Sequence, residues 1–529
     1  MRTVLRGLHT LNVLFWALSI LLLGLILVVP LLSIDRNFTV TFALSTDGII
    51  GMWDSALFSA LKNSVPLSVV ASLFAIICGG LLSEILRKTP HWLFGIIIGV
   101  YAVNPVVRAL SYFDLFHIYT PVSVWASLLF SDRLSSTIVL PALVLGIHYF
   151  PVYLMRHLFI VKQSNMLHDL PPLLESLFDD IPLWIRGFPI SFALFFLLTF
   201  FDYWVIQMIS GNTALYWTPL FIQKGFQARA VSEAAFMIVV GLAATLGAYV
   251  AARLLSSCIL LLWRRLRPLW FSGMRGQSSI LLHVRHITGW CVVLLLSWPL
   301  WWSLLSVAEI VSQGNFTLMT HTARAITVMI GLGAATAALS VCGGFTLSVV
   351  FQEHPRKRAW WLPALYFLAL VPEAAYVLFS LVVTGSGLLR GNFLWLLFLM
   401  TSFSIPISFF LWESLWGNRE RQKLWMIGSG LLRKPAQAIA LAGREWKRQA
   451  AIAFIIVFWL TTDNVFITDF AAGPKWKPLS SVVFNATKRG FSDAEILSSF
   501  LGMVGILGVI GVVMLFARVS SQESGHNGI

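Results

Sequence analysis

The sequence predicts an all-α polytopic membrane protein, with about twelve transmembrane helices in two tandem six-helix repeats. Three observations carry this. First, long apolar stretches recur along the whole chain, which is 58% hydrophobic and only 11% charged; a helix needs about 20 mostly apolar residues to cross a bilayer. Second, basic residues gather in alternate loops, as the positive-inside rule requires. Third, the two halves share landmarks. Cys78-Gly79-Gly80 precedes a basic exit at Arg87-Lys88-Thr89-Pro90, and Cys342-Gly343-Gly344, 264 residues later, precedes another at His354-Pro355-Arg356-Lys357-Arg358.

The apolar runs place the first six spans at 11–34, 60–84, 93–112, 135–159, 187–209 and 230–263. The second six fall at 287–311, 324–351, 360–383, 393–416, 450–471 and 495–518. The first run follows Arg2 and Arg6 as a signal peptide would, but it is long and has no clear small-residue cleavage site, so it reads as a retained helix. Residues 1–266 form the first half, 267–286 a basic cytoplasmic linker with Pro268 and several Gly and Ser, and 287–529 the second half.

Charge sets the orientation. Arg156, Lys162, Arg186, Arg264, Arg265 and Arg267 share one side with the two basic exits, and Arg419, Arg421, Arg433, Arg444 and Arg448 join them. Both termini are then cytoplasmic. The net charge of +14 therefore belongs to the membrane, not to nucleic acid. Four cysteines, Cys78, Cys258, Cys291 and Cys342, lie in or beside apolar runs and read as small packing residues rather than as metal ligands or a disulfide framework.

In each half the longest cytoplasmic loop follows the fourth span, at 160–186 and 417–449, which suggests a docking surface for a cytoplasmic partner. Leu173, Leu174, Leu177 and Phe178 follow helical spacing there. Such a helix fits a groove on a partner or the headgroup interface. Lys423, Arg433, Lys434, Lys447 and Arg448 in the second loop also suit anionic lipid.

This order of features resembles the permease subunits of binding-protein-dependent ABC importers, in particular the fused two-half type that includes iron(III) and thiamine permeases. The resemblance rests on Leu57-Phe58-Ser59-Ala60-Leu61-Lys62-Asn63-Ser64 entering the second span, the Gly-Gly and basic exit, a Pro inside the next span, and the long inside loop. It also rests on the outer Trp217-Thr218-Pro219-Leu220 and Trp476-Lys477-Pro478-Leu479. The family's coupling loop carries Glu-Ala-Ala, a Gly, and a later Leu-Pro. Here Leu170-Pro171-Pro172, near Glu175, stands for Glu-Ala-Ala, Ser176 for the Gly, and Phe188-Pro189 for Leu-Pro. In the second half Gln422-Lys423-Leu424 replaces Glu-Ala-Ala, Gly428 keeps the Gly, and Leu441 replaces the Pro.

The resemblance implies a cytoplasmic ATPase dimer, a periplasmic solute-binding protein facing Trp217, Pro219, Trp476, Lys477 and Pro478, and residence in a bacterial inner membrane. It implies a small solute of the iron(III), thiamine, polyamine or phosphonate class.

No Gly-x-x-x-x-Gly-Lys-Ser/Thr occurs, so the chain is expected to hold no cofactor and to rely on ATP bound by a partner subunit. Neither His-Glu-x-x-His nor Gly-x-Ser-x-Gly occurs, and a transport subunit rather than an enzyme is expected. Ionisable residues within apolar spans are the path candidates. Arg108 follows Asn104-Pro105, and Glu373 follows Pro372, so the two are expected to face one another across a pseudo-two-fold axis. Asp202 and Asp463 occupy the fifth span of each half, which lines the path in the family. His148 reads as a packed histidine. The competing readings are an ion-coupled secondary transporter, with Glu373, Asp202 or Asp463 as the titrating carboxylate, and a diverged membrane scaffold.

Overall fold

The structure, a computed structural model, describes residues 32–34, 40–42, 53–86, 92–117, 138–139, 141–149, 188–202, 205–207, 215–227, 231–273, 278–314, 316–353, 371–383, 391–415, 435–487 and 492–526. These residues are helical but for turns and one small hairpin, in which β1 (Leu32–Ile34) pairs antiparallel with β2 (Val40–Phe42). The hairpin corrects the end of the expected first span, 11–34, because Leu32 to Ile34 are strand.

The helices follow in order: α1 (Ser55–Leu86), α2 (Trp92–Ala102), α3 (Pro105–His117), α4 (141–149) and α5 (Phe188–Phe200). Next come α6 (Trp217–Ile222), a π turn (Gln223–Gln227), α7 (Val231–Gly273), α8 (Ser278–Ser312) and α9 (Thr322–Glu353). The chain continues with α10 (Glu373–Val383), α11 (Phe393–Leu415), α12 (Pro435–Thr462), α13 (Val465–Ala471), α14 (Leu479–Thr487) and α15 (Asp493–His526).

Among the described residues, six helices, α1, α7, α8, α9, α11 and α15, are long and apolar enough to cross a membrane, or up to eight spans if α2–α3 and α12–α13 each count as one. This is the build of a multi-pass membrane protein. Exposed apolar side chains cover α7 (Leu246, Leu254, Leu261) and α15 (Val512, Leu515, Phe516), as lipid contact requires. Of the expected spans, 11–31 and 360–370 lie outside the described residues, as does most of 135–159.

The segment expected as a linker, 267–286, is instead largely helical, because α7 runs on to Gly273 and α8 starts at Ser278. Leu, Trp and Arg continue the helical run past Arg267, and Pro268 does not stop it. The later loop is likewise shorter than expected, since α12 begins at Pro435, where a first-turn proline is well tolerated.

Contacts divide the described residues into two compact units. One takes Tyr101–Val106 with the described residues from Ser303 onward, and the other those of Pro30–Val100 and Val107–Trp302. In the second of these, α6 packs on α1, where Ser64 Oγ accepts the Trp217 amide at 2.9 Å and Asn63 donates to the Leu215 carbonyl at 3.0 Å. Tyr112 and Trp298 tie α3 to α8 through bonds of 3.1 and 2.9 Å to the carbonyls of Leu296 and Ser111. Lys224 bridges the entrances of two spans, reaching Asp54 at 2.6 Å and Glu233 at 2.7 Å.

In the unit from Ser303 onward, α9 packs closely against α11 and α12. Helices in lipid gain little from hydrophobic burial, so close backbone approach through small residues is what holds them. A Cβ at Gly344 would lie 2.7 Å from the Phe409 nitrogen and 2.7 Å from Ser408 Oγ; one at Gly333 would meet Phe458 at 2.9 Å. Two loop glycines also touch directly: a Cβ on Gly473 would sit 2.5 Å from the Gly391 Cα, and Gly391 has φ +81°.

Gly344→Val is expected to destabilise the protein by about 1–3 kcal/mol through overpacking. Gly331→Ala, which meets nothing within 4 Å, is expected to leave the thermal midpoint in detergent unchanged or slightly raised. Equal midpoints for the two variants would contradict the close α9–α11 approach.

A second expectation concerns Lys224. Burial pushes the Asp54 carboxyl up, but the Lys224 ammonium and the Leu57 amide outweigh it and hold the group below its ordinary value. Burial pulls Lys224 down, and its bonds to Asp54 and Glu233 more than reverse this. A depressed acid stabilises above its unfolded pKa, and a raised base stabilises below its own. The cluster therefore contributes between about pH 4 and pH 10. Lys224→Met should lower the thermal midpoint within that window, and its difference from the natural protein should shrink outside it.

Candidate functional site

A helix in lipid can be interrupted only where something satisfies the freed backbone groups. Among the described residues, helical backbone is interrupted at Asn104, at Asp202 and at Asp463-Asn464, and a side chain accepts an amide beyond each.

At the first, α2 and α3 meet at 102°. Pro105 cannot donate to the preceding turn and disfavours helical backbone at Asn104, so the helix stops there. Asn104 then restarts it by accepting the Val106 amide on Oδ1 at 3.0 Å. The expected bend at Pro105 is therefore a full corner.

At the second, Asp202 closes α5. Its Oδ1 accepts the amides of Val205 at 3.0 Å and Ile206 at 3.4 Å, and its Oδ2 accepts the Tyr149 hydroxyl at 2.6 Å. The carboxylate is buried, and these donors supply what water would.

At the third, α12 and α13 meet at 55°. Asp463 occupies the turn and its amide donates to the Trp459 carbonyl at 2.9 Å. Asn464 is the cap and accepts the Ile467 amide at 2.9 Å. Thr461 donates to the Val457 carbonyl at 2.8 Å, just as Thr199, also 262 residues earlier, donates to the Phe195 carbonyl at 2.8 Å. Asn464, rather than Asp463, caps as Asp202 does, and each stands three residues after a back-bonded threonine.

The corner at Asn104 and the corner at Asp463 border one small cavity, closed by α14 and α15. It has room for about one water molecule. Met329, Leu479, Met503 and Ile506 make its walls apolar, while Asn104, Thr462, Asp463 and Ser499 make one part of it polar. Asn104 and Ser499 are 4% and 3% exposed, and Asn104 Nδ2 and Ser499 Oγ have no hydrogen-bond partner among the described residues. Leaving a buried donor unsatisfied costs about 1–3 kcal/mol each. Tyr101 stacks edge-on against Trp459 at 4.3 Å and holds the two corners together.

Arg108, on α3, is fully buried. Its Nε donates to His148 Nδ1 at 3.2 Å. Glu373 is the first residue of α10, where a carboxylate suits the positive helix end. Trp217 and Pro219 are buried and do not form the expected outer surface: Trp217 packs on Phe200 at 5.3 Å, and Thr218 donates to the Phe200 carbonyl at 3.2 Å. Trp476 is half-buried against Phe393 at 5.0 Å, Lys477 pairs with Asp469 at 2.9 Å, and Pro478 is buried.

Of the expected coupling residues, Leu170, Pro171, Pro172, Glu175, Ser176, Gln422, Lys423, Leu424 and Gly428 lie outside the described residues. Pro189 is buried in α5, and Leu441 lies within α12. Asn104 was legible as a polar residue before a proline. Ser499 was not, because a serine in an apolar helix carries no signal until its neighbours are known.

No family model, no curated protein and no solved structure matches this chain.

The cap at Asp202 gives a direct test. Asp202→Ala is expected to cost about 1–2 kcal/mol from the lost cap alone. Asp202→Asn retains an acceptor for the Val205 amide and should recover most of that stability. Equal loss in both, read from thermal melts in detergent, would mean that the charge rather than the cap matters.

Proposed function

We propose that this chain is the permease subunit of an ABC-type importer, moving a small solute across a bacterial inner membrane by alternating access of two fused halves. The observation that carries the reading is the meeting of two capped helix breaks at a polar-lined cavity within an apolar helical protein. Interrupted helices suit a membrane protein where backbone lines a path, because a passing solute takes up polar groups that lipid cannot.

Two further features support the twin-half arrangement of twelve spans. The fifth expected span of each half is interrupted after a back-bonded threonine, Thr199 or Thr461, and restarted by a capping side chain, Asp202 or Asn464. The third expected span breaks at Val103-Asn104-Pro105, and α10 starts directly after Val371-Pro372 in the corresponding place. In this reading both termini are cytoplasmic, a separate ATPase dimer docks on the loops at 160–186 and 417–449, and an external binding protein delivers the solute to the outer face. The solute belongs to the iron(III), thiamine, polyamine or phosphonate class of the resembling permeases. The chain itself carries no catalytic function.

One observation favours a second reading. Asp463 lines the cavity, and an embedded carboxylate of this kind is what an ion-coupled secondary transporter would use.

Affinity purification of the tagged chain from its native membrane separates the two. The importer reading expects stoichiometric recovery of an ATPase and ATP-dependent uptake in vesicles. Uptake by the lone chain that follows an imposed proton gradient, with no ATPase recovered, would establish the secondary transporter instead.

A further inference from the structure

We infer that the cavity at the Asn104 corner is a binding site for one ordered water molecule, which completes the corner and ties it to α15. Three polar groups on the wall lead to this water, and the apolar remainder of the wall holds it in place.

Two of the groups come from the helix break itself. In a continuous helix the Val106 amide would bond the Ala102 carbonyl. Here that amide goes to Asn104 Oδ1 at 3.0 Å, which leaves the Ala102 carbonyl without its helical donor. The same bond commits Oδ1 and leaves Asn104 Nδ2 as a buried donor with no partner among the described residues. Ala102 and Asn104 both line the cavity. The third group is Ser499 Oγ, on α15, which is buried and also has no partner among the described residues. Thr462, on the same wall, is already used, because its hydroxyl donates to the Trp459 carbonyl at 2.9 Å.

The chemistry of the three groups selects the ligand. The amide nitrogen only donates, the carbonyl only accepts, and the serine hydroxyl does either. A metal cation offers nothing to the amide donor, and an anion offers nothing to the carbonyl. Water serves both, and about three hydrogen bonds are usual for a buried one. The cavity has room for about one such molecule. Gly502 lets the site close: a Cβ there would strike the Leu479 side chain, which with Met329, Met503 and Ile506 forms the apolar wall. The corner's own backbone calls for this water, whatever solute the chain carries.

The test exposes full-length protein in detergent to short X-ray pulses, which split water into hydroxyl radicals that oxidise a neighbouring methionine to its sulfoxide. Mass spectrometry then reads each methionine. Met329 and Met503 are expected to oxidise several-fold faster than Met237 and Met400, which are also buried but do not line the cavity. Ser499→Val replaces the hydroxyl with methyl groups and should remove that excess. Equal rates in the natural protein, or an excess that survives in folded Ser499→Val, overturns the inference. If Ser499→Val does not fold, a structure of the natural protein fine enough to show ordered water decides. Density within hydrogen-bond distance of Asn104 Nδ2, Ser499 Oγ and the Ala102 carbonyl supports the site, and an empty cavity overturns it. Neither measurement needs an ATPase, an ion gradient or a solute, so failure of the importer reading would leave the result standing.

Discussion

Every unusual feature of this fold traces to one constraint: a peptide group facing lipid must find its partner within the protein. Uninterrupted helices such as α9 and α15 meet it automatically. Interrupted ones meet it with a borrowed side chain. Asn104, Asp202 and Asn464 each accept an amide that the break would strand. Without those acceptors, corners as sharp as 102° would leave bare N–H groups in an apolar medium, at a cost comparable to a sizeable part of a domain's stability.

With the breaks secured, packing follows from geometry rather than from burial. Gly333 and Gly344 let α9 lie against α11 and α12 at distances that no side chain would permit. Some buried hydroxyls return a bond to their own backbone, as Thr461 and Thr468 do, while others, Ser340 on α9 and Ser404 and Ser408 on α11 among them, have no partner among the described residues. The hydroxyl of Ser499 and the amide of Asn104 are two more of the latter, and they lie beside the same cavity.

The sequence was legible where hydrophobicity and proline dominate. Long apolar runs located α1, α7, α8, α9, α11 and α15, because the bilayer imposes a length that a window can read. Pro105 announced an interruption, though not that it would be a corner. What escaped was set by neighbours. Trp217 resembles an interfacial anchor, yet its amide is bonded to Ser64 and its ring is enclosed. Asp463 and Asp202 look equivalent by position, but one occupies a turn and the other is a cap. The segment 267–286 has the composition of a linker, and helix propagation from α7 overrides it. The Lys224 bridge spans 170 residues to Asp54 and has no local signature.

The meeting of Gly391 and Gly473 carries a mechanical consequence. Backbone rests on backbone there, with no side chain between to bend or swing aside, so sliding of either loop is transmitted undamped to the other. Phe393 and Trp476 stack just beyond and brace the same joint. Gly391 and Gly473 therefore form one tight joint between the entry of α11 and the segment ahead of α14, where neither backbone can advance without displacing the other.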